Sequence, residues 1–392
     1  MKPDFTDLDA HLDSLGVDAY VIDAASSDSN QRYLSGFDAP DSFVSCYRPD
    51  GLSLLVSGLE YGRARKESHA ETVERPADYD HHDLRSEYGP TEARHRVVAR
   101  FLADKSVDSV VVPDRFPVGT ADGLREQGLC VTVDTDDILM EIRSVKTETE
   151  LDSIREAQRA NEQAMAAAES MLAAATPNDD DVLVVDGELL TSERVKQEIE
   201  ITLLEHGCGL DETIVACGER AADPHDRGKG PLSANEPIII DIFPRNKTTK
   251  YHSDMTRTFL VGQASETLTE WHEITDAALK AALAAIKPGN TGEDVHAAAC
   301  EVYENAGLPT FRTNPTTEVG FIHSTGHGVG LDVHELPRLS GGGGELRPGQ
   351  VITVEPGLYD PAVGGIRIED IVIVTEDGYE NITEYPIEFV VD

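Results

Sequence analysis

The stretch PIIIDIFPRNKTTKYHSDMTRTF, residues 237–259, decides how this chain folds. Two runs of apolar and β-branched residues in it predict two β-strands, and each run contains one aspartate, Asp241 or Asp254. A hairpin with its turn at 247–248 would place these aspartates directly opposite each other, with their Cβ atoms about 5 Å apart. Two ionised carboxylates that close repel each other, and a divalent cation between them removes the repulsion. Taken alone, the stretch also fits a surface hairpin whose aspartates are neutralised by its own arginines.

A similar pair of acidic residues lies near the end of the chain. In VITVEPGLYDPAVGGIRIEDIVIV, residues 351–374, Glu355 and Glu369 each stand in a predicted strand, and Pro361 with two glycines supplies the turn between them. Four carboxylates from two hairpins would converge if the hairpins belong to one pseudo-symmetric sheet. A site so rich in oxygen suits Mn and also accepts Co, Fe or Zn.

Three histidines stand between the two acidic pairs. HSTGHGVGLDVHELPR, residues 323–338, contains His323, His327 and His334 among several glycines. A single buried histidine is more often a core residue than a ligand, but three histidines close together indicate a functional site. The glycines would let the backbone approach a ligand closely or adopt unusual φ angles. One imidazole together with four carboxylates would complete a site for two metal ions.

The chain is strongly acidic. Its 392 residues include 73 acidic and 33 basic side chains, which gives a formal net charge of −40. Such a surface repels nucleic acids and anionic membranes, and it is typical of halophilic proteins, because salt screens the repulsion between like charges. The chain has five cysteines without a CxxC pair and no apolar run long enough to span a membrane. We therefore expect a soluble, cytoplasmic, halophilic protein with free thiols.

The order of the predicted elements indicates two domains. Residues 1–143 predict a small α/β domain, with strands at 19–23, 52–58 and 107–114 and a helix at 93–104. Residues 144–392 predict an α/β (α+β) domain in which two helices followed by strands occur twice, which indicates an internal structural repeat. In this domain we expect helices at 147–175, 192–206, 267–287 and 292–306, a hairpin at 182–190, and strands at 212–218, 237–243, 250–261, 318–323, 350–359 and 365–374.

At these motifs the chain resembles the family of methionine aminopeptidase, prolidase, aminopeptidase P and creatinase. The resemblance is carried by IDIFPRNKTTKYHSDMTRTF, HSTGHGVGLDVHE, TVEPG and GIRIED, in the family's order, and it covers residues 145–392. It implies a catalytic domain with the pseudo-two-fold pita-bread fold. It also implies two divalent metal ions, which Asp254 and Glu369 would bridge. The full ligand set falls on Asp241, Asp254, His327, Glu355 and Glu369.

Within that family the chain is similar to the Xaa-Pro aminopeptidase and prolidase branch. It has the extra N-terminal domain, and SNQRYLSGF, residues 29–37, is similar to a segment of that domain. TIVACGERAADPH resembles a segment that ends in a substrate-binding histidine, here His225. Three features depart from the family: Phe243 stands where glycine is usual, the two aspartates are two positions further apart, and 182–190 is inserted. These departures concern substrate preference more than metal binding.

The resemblance implies a peptidase that cleaves short peptides after the N-terminal residue, above all at Xaa-Pro bonds. A hydroxide ion bridging the two metal ions would attack the peptide bond, and Glu355 would carry a proton to the leaving nitrogen. His225 and His334 would hydrogen-bond the substrate carbonyl. His323 and Arg367 would orient ligands or substrate, unless their contacts are merely structural. The resemblance also implies a homodimer.

Two other functions stay open on the same fold. A metal-free amidinohydrolase of the creatinase type uses the fold without the full ligand set, and non-catalytic binding proteins usually lose ligands too. The presence of all five ligand types argues against both alternatives. The choice between an aminopeptidase and a dipeptidase depends on loops and partner subunits, which the motifs do not specify.

Overall fold

The computed structural model describes residues 3–391, and the chain divides into two units, Met1–Arg143 and Ser144–Asp392. Each unit has its own sheet and its own clusters of buried apolar side chains. The mixture of helices and sheets confirms the expected α/β class. Within the described residues, no helix is both long enough and apolar enough to cross a membrane.

The first unit is a six-stranded sheet with helices. Its elements are α1 (Thr6–Leu15), β1 (Ala19–Ala24), α2 (Ser29–Ser35), β2 (Phe43–Arg48), β3 (Gly51–Leu55), α3 (Tyr61–Glu67), β4 (Thr72–Glu74), a short 3-10 helix (Pro76–Tyr79), α4 (His81–Tyr88), α5 (Pro90–Asp104), β5 (Ser109–Val112), α6 (Val118–Glu126), β6 (Cys130–Val133) and α7 (Ile138–Ser144). The strands lie in the order β4-β3-β2-β1-β5-β6. The predicted strands and helix of this unit are confirmed as β1, β3, β5 and α5, with shifted ends.

The first half of the second unit begins with a long helix. Its elements are α8 (Glu148–Ala173), β7 (Thr176–Pro177), β8 (Leu183–Val185), β9 (Glu188–Leu189), α9 (Ser192–Glu205), β10 (Cys208–Gly209), β11 (Ile214–Cys217), a 3-10 helix (Gly218–Ala222), β12 (Ile238–Ile242), β13 (Arg245–Asn246) and β14 (Met255–Val261). Helix α8 confirms the helix predicted at 147–175 and starts with a capping box, in which the side chain of Glu150 accepts a hydrogen bond from the backbone N of Thr147.

The second half repeats this order. Its elements are α10 (Glu266–Ala285), α11 (Gly292–Asn305), β15 (Gly326–Gly328), β16 (Glu335–Leu339), β17 (Val351–Val354), β18 (Gly357–Asp360), β19 (Gly364–Arg367), β20 (Asp370–Val374), β21 (Tyr379–Asn381) and β22 (Val390–Val391). In each half two helices pack against each other, α8 with α9 and α10 with α11. The two larger sheets of the unit have the strand orders β11-β12-β14-β22 and β16-β15-β17-β20-β21, and the remaining strands form the smaller sheets β7-β8-β9, β10-β13 and β18-β19.

One predicted strand of this unit is wrong. No strand forms at 318–323, where Gly320 has a φ of 91° and only isolated bridges occur, Thr310 with Phe321 and Gly320 with Tyr359. A left-handed residue interrupts the pleat that a strand requires. The helix predicted at 267–287 is confirmed as α10, which begins one residue earlier because the side chain of Ser265 caps it by accepting a hydrogen bond from the backbone N of Leu268.

Candidate metal centre

The first acidic pair lies on the hairpin of β12 and β14. In this hairpin Asp241 faces Thr256. Asp254 directly precedes β14, so it does not stand opposite Asp241, and the predicted register is wrong by two residues. The two aspartates still lie on the same face of the sheet, because Asp254 is two positions from Thr256.

The turn of this hairpin explains the shifted register. Oδ1 of Asn246 accepts hydrogen bonds from the backbone N of Thr248 at 2.9 Å and of Thr249 at 3.0 Å. Lys250 closes the turn with a φ of 70°. The turn is therefore centred one residue later than the predicted 247–248. Moving a turn by one residue changes the pairing by two residues and leaves every side chain on its original face.

The second acidic pair lies in a gap between two ladders. The ladder between β17 and β20 ends where Val354 faces Asp370. The ladder between β18 and β19 begins where Gly357 faces Arg367, in the same register. Glu355 and Glu369 therefore face each other in the gap, as the sequence predicts for an opposed pair. In this hairpin the ligand positions lie outside the regular strands.

Hydrogen bonds join the two hairpins at the acidic pairs. The backbone N of Glu369 donates to the carbonyl oxygen of Thr256 at 3.0 Å, and Oγ1 of Thr256 donates to Oε2 of Glu369 at 2.8 Å. Two positions away, the backbone N of Arg367 donates to Oγ1 of Thr258 at 2.9 Å. The strand pairing thus brings carboxylates from both halves of the unit into one site.

His327 lies on β15 between two glycines that the packing requires. A Cβ atom on Gly326 would lie 2.0 Å from the carbonyl oxygen of Thr353, and one on Gly328 would lie 2.1 Å from that of Leu336. Any larger residue would therefore push the neighbouring strands apart. Neither glycine has a positive φ, so of the two roles expected for these glycines the close backbone approach is the one observed.

The ligand atoms converge at the junction of the hairpins. One atom each from Asp254, His327 and Glu369 lies within 4.8 Å of the other two. Nε2 of His327 also lies 3.5 Å from Oε1 of Glu355. Metal–ligand bonds to nitrogen and oxygen are about 2 Å long, so one cation can contact atoms spaced in this way.

The carboxylates of the site cannot all ionise without a cation. Burial, followed by the charges of Glu369 and Asp241, raises the pKa of Asp254 well above its ordinary value. Burial and the charges of Glu355 and Asp241 raise the pKa of Glu369 in the same way, and burial raises the pKa of Glu355 to about 7. Buried acidic groups this close together are stabilised as carboxylates by bound metal.

Asp241 provides a second sign that the site fits metal ions. Its Oδ2 atom accepts a hydrogen bond from Nη2 of Arg367 at 2.7 Å. Its Oδ1 atom is buried and has no hydrogen-bond partner among the described residues. Leaving a buried carboxylate oxygen unpaired costs free energy, and a bound cation would remove that cost.

His334 and His225 lie beside the ligands. The ring of His334 meets the ring of His327 edge to face, with the ring centroids 4.3 Å apart. Burial and the imidazole of His327 lower the pKa of His334 to about 4, so this ring is neutral at pH 7. His225 is exposed, and its backbone N donates to Oδ1 of Asp223 at 3.0 Å. The carbonyl oxygen of the preceding residue, Pro224, accepts a hydrogen bond from Nη1 of Arg367 at 3.3 Å, which places this loop beside the site.

Tyr359 connects several predicted residues, and the sequence analysis did not identify it. Its hydroxyl lies 3.0 Å from Nε2 of His323 and accepts a hydrogen bond from Nη1 of Arg367 at 3.0 Å. Burial and the charge of Arg367 lower the pKa of His323 to about 3. A chain of contacts thus runs from His323 through Tyr359 and Arg367 to Asp241. The sequence feature that could have identified Tyr359 is its place in a predicted apolar strand, four positions after Glu355.

His252 shares the face of Asp254 but is not one of the converging ligands. Burial and the charge of Arg245 lower the pKa of His252 to about 4, and its backbone N donates to the carbonyl oxygen of Gly330 at 2.8 Å. In the described part of the chain, the group of converging ligand atoms does not include this ring.

Two departures from the family pattern contact the loop that carries His225. The guanidinium of Arg227, two positions after His225, lies 5.6 Å from the centroid of the Phe243 ring. The inserted segment forms the predicted hairpin, β8 and β9, and the backbone N of Leu183 donates to the carbonyl oxygen of Leu232 at 2.9 Å. Phe243 therefore lies near the segment that carries His225, and the inserted hairpin pairs with residues that follow this segment.

Comparison with known proteins gives matches over both units. Residues 152–376 match the model of metallopeptidase family M24, and residues 6–145 match the model of the creatinase/prolidase N-terminal domain.

The similar proteins include two kinds of Xaa-Pro peptidase. The Xaa-Pro dipeptidase of Pyrococcus horikoshii is 28% identical over 97% of this chain and 96% of its own length. The solved structure of the prolidase from Pyrococcus horikoshii OT3 is 27% identical and covers 97% of both chains, with a TM-score of 0.79. The solved structure of the X-Pro aminopeptidase from Thermotoga maritima is 26% identical and covers 97% of this chain and 100% of that one, with a TM-score of 0.78. The chain is thus almost equally similar to a dipeptidase and to an aminopeptidase.

Proposed function

The chain belongs to metallopeptidase family M24, and from this premise we propose that it cleaves Xaa-Pro bonds at the N-terminus of short peptides with two divalent metal ions. It is a metal-dependent peptidase whose second unit has the pita-bread fold. The observation that carries the proposal is the convergence of Asp254, His327 and Glu369 within 4.8 Å at the junction of two hairpins. Their buried carboxylates need positive charge in order to ionise together.

The proposed site uses the five predicted ligands. Asp254 and Glu369 would serve both ions, Asp241 would hold one of them, and His327 and Glu355 would hold the other. The bound ions would lower the pKa of a water molecule and polarise the scissile carbonyl. Mn is the proposed ion because the site is rich in oxygen ligands, and Co, Fe and Zn are the alternatives.

Glu355 is the proposed proton carrier. Its carboxyl group lies among the ligands, with Oε1 at 3.5 Å from Nε2 of His327, where a carboxylate can pass a proton between water and substrate. In this role it takes a proton from the attacking water and delivers it to the leaving nitrogen. Oε1 also lies 3.4 Å from Oγ1 of Thr353.

The other predicted residues bind and orient the substrate. His334 is neutral at pH 7 and can donate one hydrogen bond to the substrate carbonyl, and we propose the same role for His225. Arg367 holds one oxygen of Asp241 at 2.7 Å, which leaves the other oxygen directed to the metal. His323 fixes this arginine through the hydroxyl of Tyr359.

The substrate class can be tested with a panel of peptides. Xaa-Pro dipeptides, longer Xaa-Pro peptides and matched peptides without proline are incubated with the Mn²⁺-loaded protein, and kcat/KM is measured for each. The proposal expects hydrolysis of the Xaa-Pro peptides and little hydrolysis of the matched peptides without proline. Cleavage of dipeptides alone would identify a dipeptidase, and cleavage of both lengths an aminopeptidase. Equal rates without proline would contradict the proposed specificity.

Chelation tests the metal requirement. Removal of metal should abolish hydrolysis, and Mn²⁺ should restore it, with Co²⁺, Fe²⁺ and Zn²⁺ compared at the same free concentration. Peptide hydrolysis that survives full chelation would contradict the metal-dependent mechanism. Measured metal content of two ions per chain is the expected result, and one ion per chain would contradict a dinuclear site.

Three further properties belong to the proposal. The net charge of −40 supports halophilic behaviour, so the melting temperature should rise with added KCl. The free cysteines among the described residues support a reducing compartment such as the cytoplasm. The homodimer implied by the family resemblance can be tested by light scattering of the protein at high salt.

A further inference from the structure

Arg257 is a fully buried arginine on the back of the metal site. It lies on β14 next to Thr256, is 1% exposed and points to the face opposite Thr256 and Asp254. A buried guanidinium is unfavourable unless its charge is paired and its N–H groups are hydrogen-bonded. The surroundings of Arg257 must therefore supply a negative charge and hydrogen-bond acceptors.

All five N–H groups of Arg257 have acceptors. An arginine side chain offers five donors in a fixed planar fork. Here the fork is used in full, with bonds from Nε to Pro386 O (3.0 Å), from Nη1 to Thr256 O (3.0 Å) and Glu369 O (2.6 Å), and from Nη2 to Asp370 Oδ1 (2.9 Å) and Tyr385 O (2.7 Å).

These bonds connect three segments of the second unit. One is β14 itself, the second is the start of β20 at Glu369 and Asp370, and the third is the segment 381–391, which we call the C-terminal strap. The strap crosses both halves of the unit. Tyr385 packs against the apolar core of the first half, and Phe389 packs against that of the second half. Strand β22 within the strap pairs with β14.

The same contacts fix Glu369 from several sides. The carbonyl oxygen of Thr256 accepts hydrogen bonds both from Arg257 and from the backbone N of Glu369. The carbonyl oxygen of Glu369 accepts from Arg257, and Oε2 of Glu369 accepts from Oγ1 of Thr256. The backbone of this carboxylate ligand is thus held through Arg257, and one oxygen of its side chain is held by Thr256 on the side of the proposed metal site.

We propose that Arg257 is a positioning residue for Glu369 and that it makes metal binding depend on the C-terminal strap. This inference rests on the proposed metal site. Arg257 does not touch metal or substrate; it sets the position of the ligand shared by both ions, and the strap supplies two of its five acceptors. Groups that orient metal ligands typically contribute 10–100-fold to metal affinity.

The geometry requires arginine at this position. Lysine would keep the positive charge beside Asp370, but it has three donors around one nitrogen and cannot reach acceptors spread over three segments. Arg257→Lys should therefore preserve the charge pair while releasing the carbonyl of Glu369. The substitution separates the role of the fork from the role of the charge.

The first experiment compares Mn²⁺ binding to the wild type and to Arg257→Lys by calorimetry at high salt. We expect the dissociation constant to rise about 10–100-fold and the visible spectrum of the Co²⁺-loaded protein to change. The matched control is Arg94→Lys in the first unit, where Arg94 also holds an aspartate, Asp23, through two bonds of 2.8 and 2.6 Å. The control should bind Mn²⁺ as the wild type does. Unchanged affinity and an unchanged spectrum in folded Arg257→Lys would overturn the positioning role.

The second experiment uses the wild type and decides the question even if Arg257→Lys does not fold. Coupling between two sites is reciprocal, so metal bound at Glu369 must in turn stabilise the strap. Hydrogen exchange of peptides from 381–391 should slow when Mn²⁺ is added. Slower exchange in the two hairpins with no change in the strap would overturn the inference while leaving the metal site intact. If Mn²⁺ does not bind the wild type at all, the proposed metal site fails, and the inference fails with it.

Discussion

The two acidic hairpins use the same kinds of residue with different geometry. In the first hairpin, Asp241 stands inside a regular ladder and faces Thr256, so its partner Asp254 is displaced along the strand. In the second hairpin, Glu355 and Glu369 face each other where the ladder is interrupted. In both hairpins the acidic residues therefore lie on the same face of the sheet, but the strand register differs between the hairpins. Side chains alternate between the faces with a period of two, so a shift of two residues does not change the face on which they lie.

The difference extends to how the ligands are held. Asp241 is fixed by an ion pair with Arg367 at 2.7 Å, whereas the contacts of Oε1 of Glu355 are longer, 3.4 Å to the hydroxyl of Thr353 and 3.5 Å to Nε2 of His327. The regular ladder thus provides the more tightly held ligand, and the gap provides the more loosely held one. Substitutions in the two hairpins can test this division.

The largest expected effect comes from removing one shared ligand in each hairpin. Asp254→Asn and Glu369→Gln should each lower kcat/KM on an Xaa-Pro peptide by about a thousandfold, because a central charge of the site is lost. Activity is measured with saturating Mn²⁺, and circular dichroism confirms the fold. Asp152→Asn, whose side chain is 72% exposed on α8, is the control. Substantial activity in only one of the two ligand variants would show that the hairpins contribute unequally.

Metal binding should release protons to the buffer. In the metal-free protein, burial and like charge raise the pKa values of Asp254, Glu369 and Glu355, so these groups keep their protons to a higher pH than ordinary carboxyl groups do. Cations bind the ionised forms, so the protons must leave. Calorimetric titration with Mn²⁺ in two buffers of different ionisation enthalpy measures the number released. Glu355→Gln should lower that number, and equal heats in the two buffers would contradict the prediction.

A substitution in the turn of the second hairpin should destabilise the protein more than one in the turn of the first hairpin. Gly364 has a φ of 111°, and a Cβ atom there would lie 2.6 Å from Cγ of Pro237. Gly364→Ala should therefore lower the free energy of unfolding by about 2 kcal/mol, through backbone strain and overpacking. Urea unfolding of the metal-loaded protein measures the change. Gly341→Ala, where a Cβ atom meets nothing within 4 Å, is the matched control and should have little effect.

The smallest expected effect concerns the turn of the first hairpin. Asn246→Ala removes the side-chain oxygen that accepts hydrogen bonds from Thr248 and Thr249, and it should lower the free energy of unfolding by about 1 kcal/mol. Lys247→Ala in the same turn is the control. If Asn246→Ala lowers the activity more than its fraction of unfolded protein accounts for, the turn also fixes the register of the ligands.

Much of the site could be predicted because it depends on alternation and on residue type. Asp241 and Asp254 share a face in any register of the same parity, and a buried carboxylate after three isoleucines already requires a compensating charge. The register itself could not be predicted, since it depends on the side-chain oxygen of Asn246 and on the left-handed conformation of Lys250. Both are local choices that several turn geometries would allow.

The supporting residues were harder to recognise than the ligands. Tyr359 and Thr256 act through distant partners, His323 and Glu369, that are 36 and 113 positions away in the chain. No pattern within one strand indicates such contacts. The strand predicted at 318–323 failed for a similar reason, because Gly320 is bound to Tyr359 by its backbone and departs from the pleat.

The C-terminal strap has a consequence for protein synthesis. All five proposed ligands are translated before Tyr385 and Pro386, whose carbonyl oxygens complete the acceptors of Arg257. While the chain is still on the ribosome, the ligands are present but the arginine behind Glu369 lacks two partners. Since Arg257 is the proposed positioning residue for Glu369, we expect the metal site to reach its final geometry only after the strap has emerged from the ribosome.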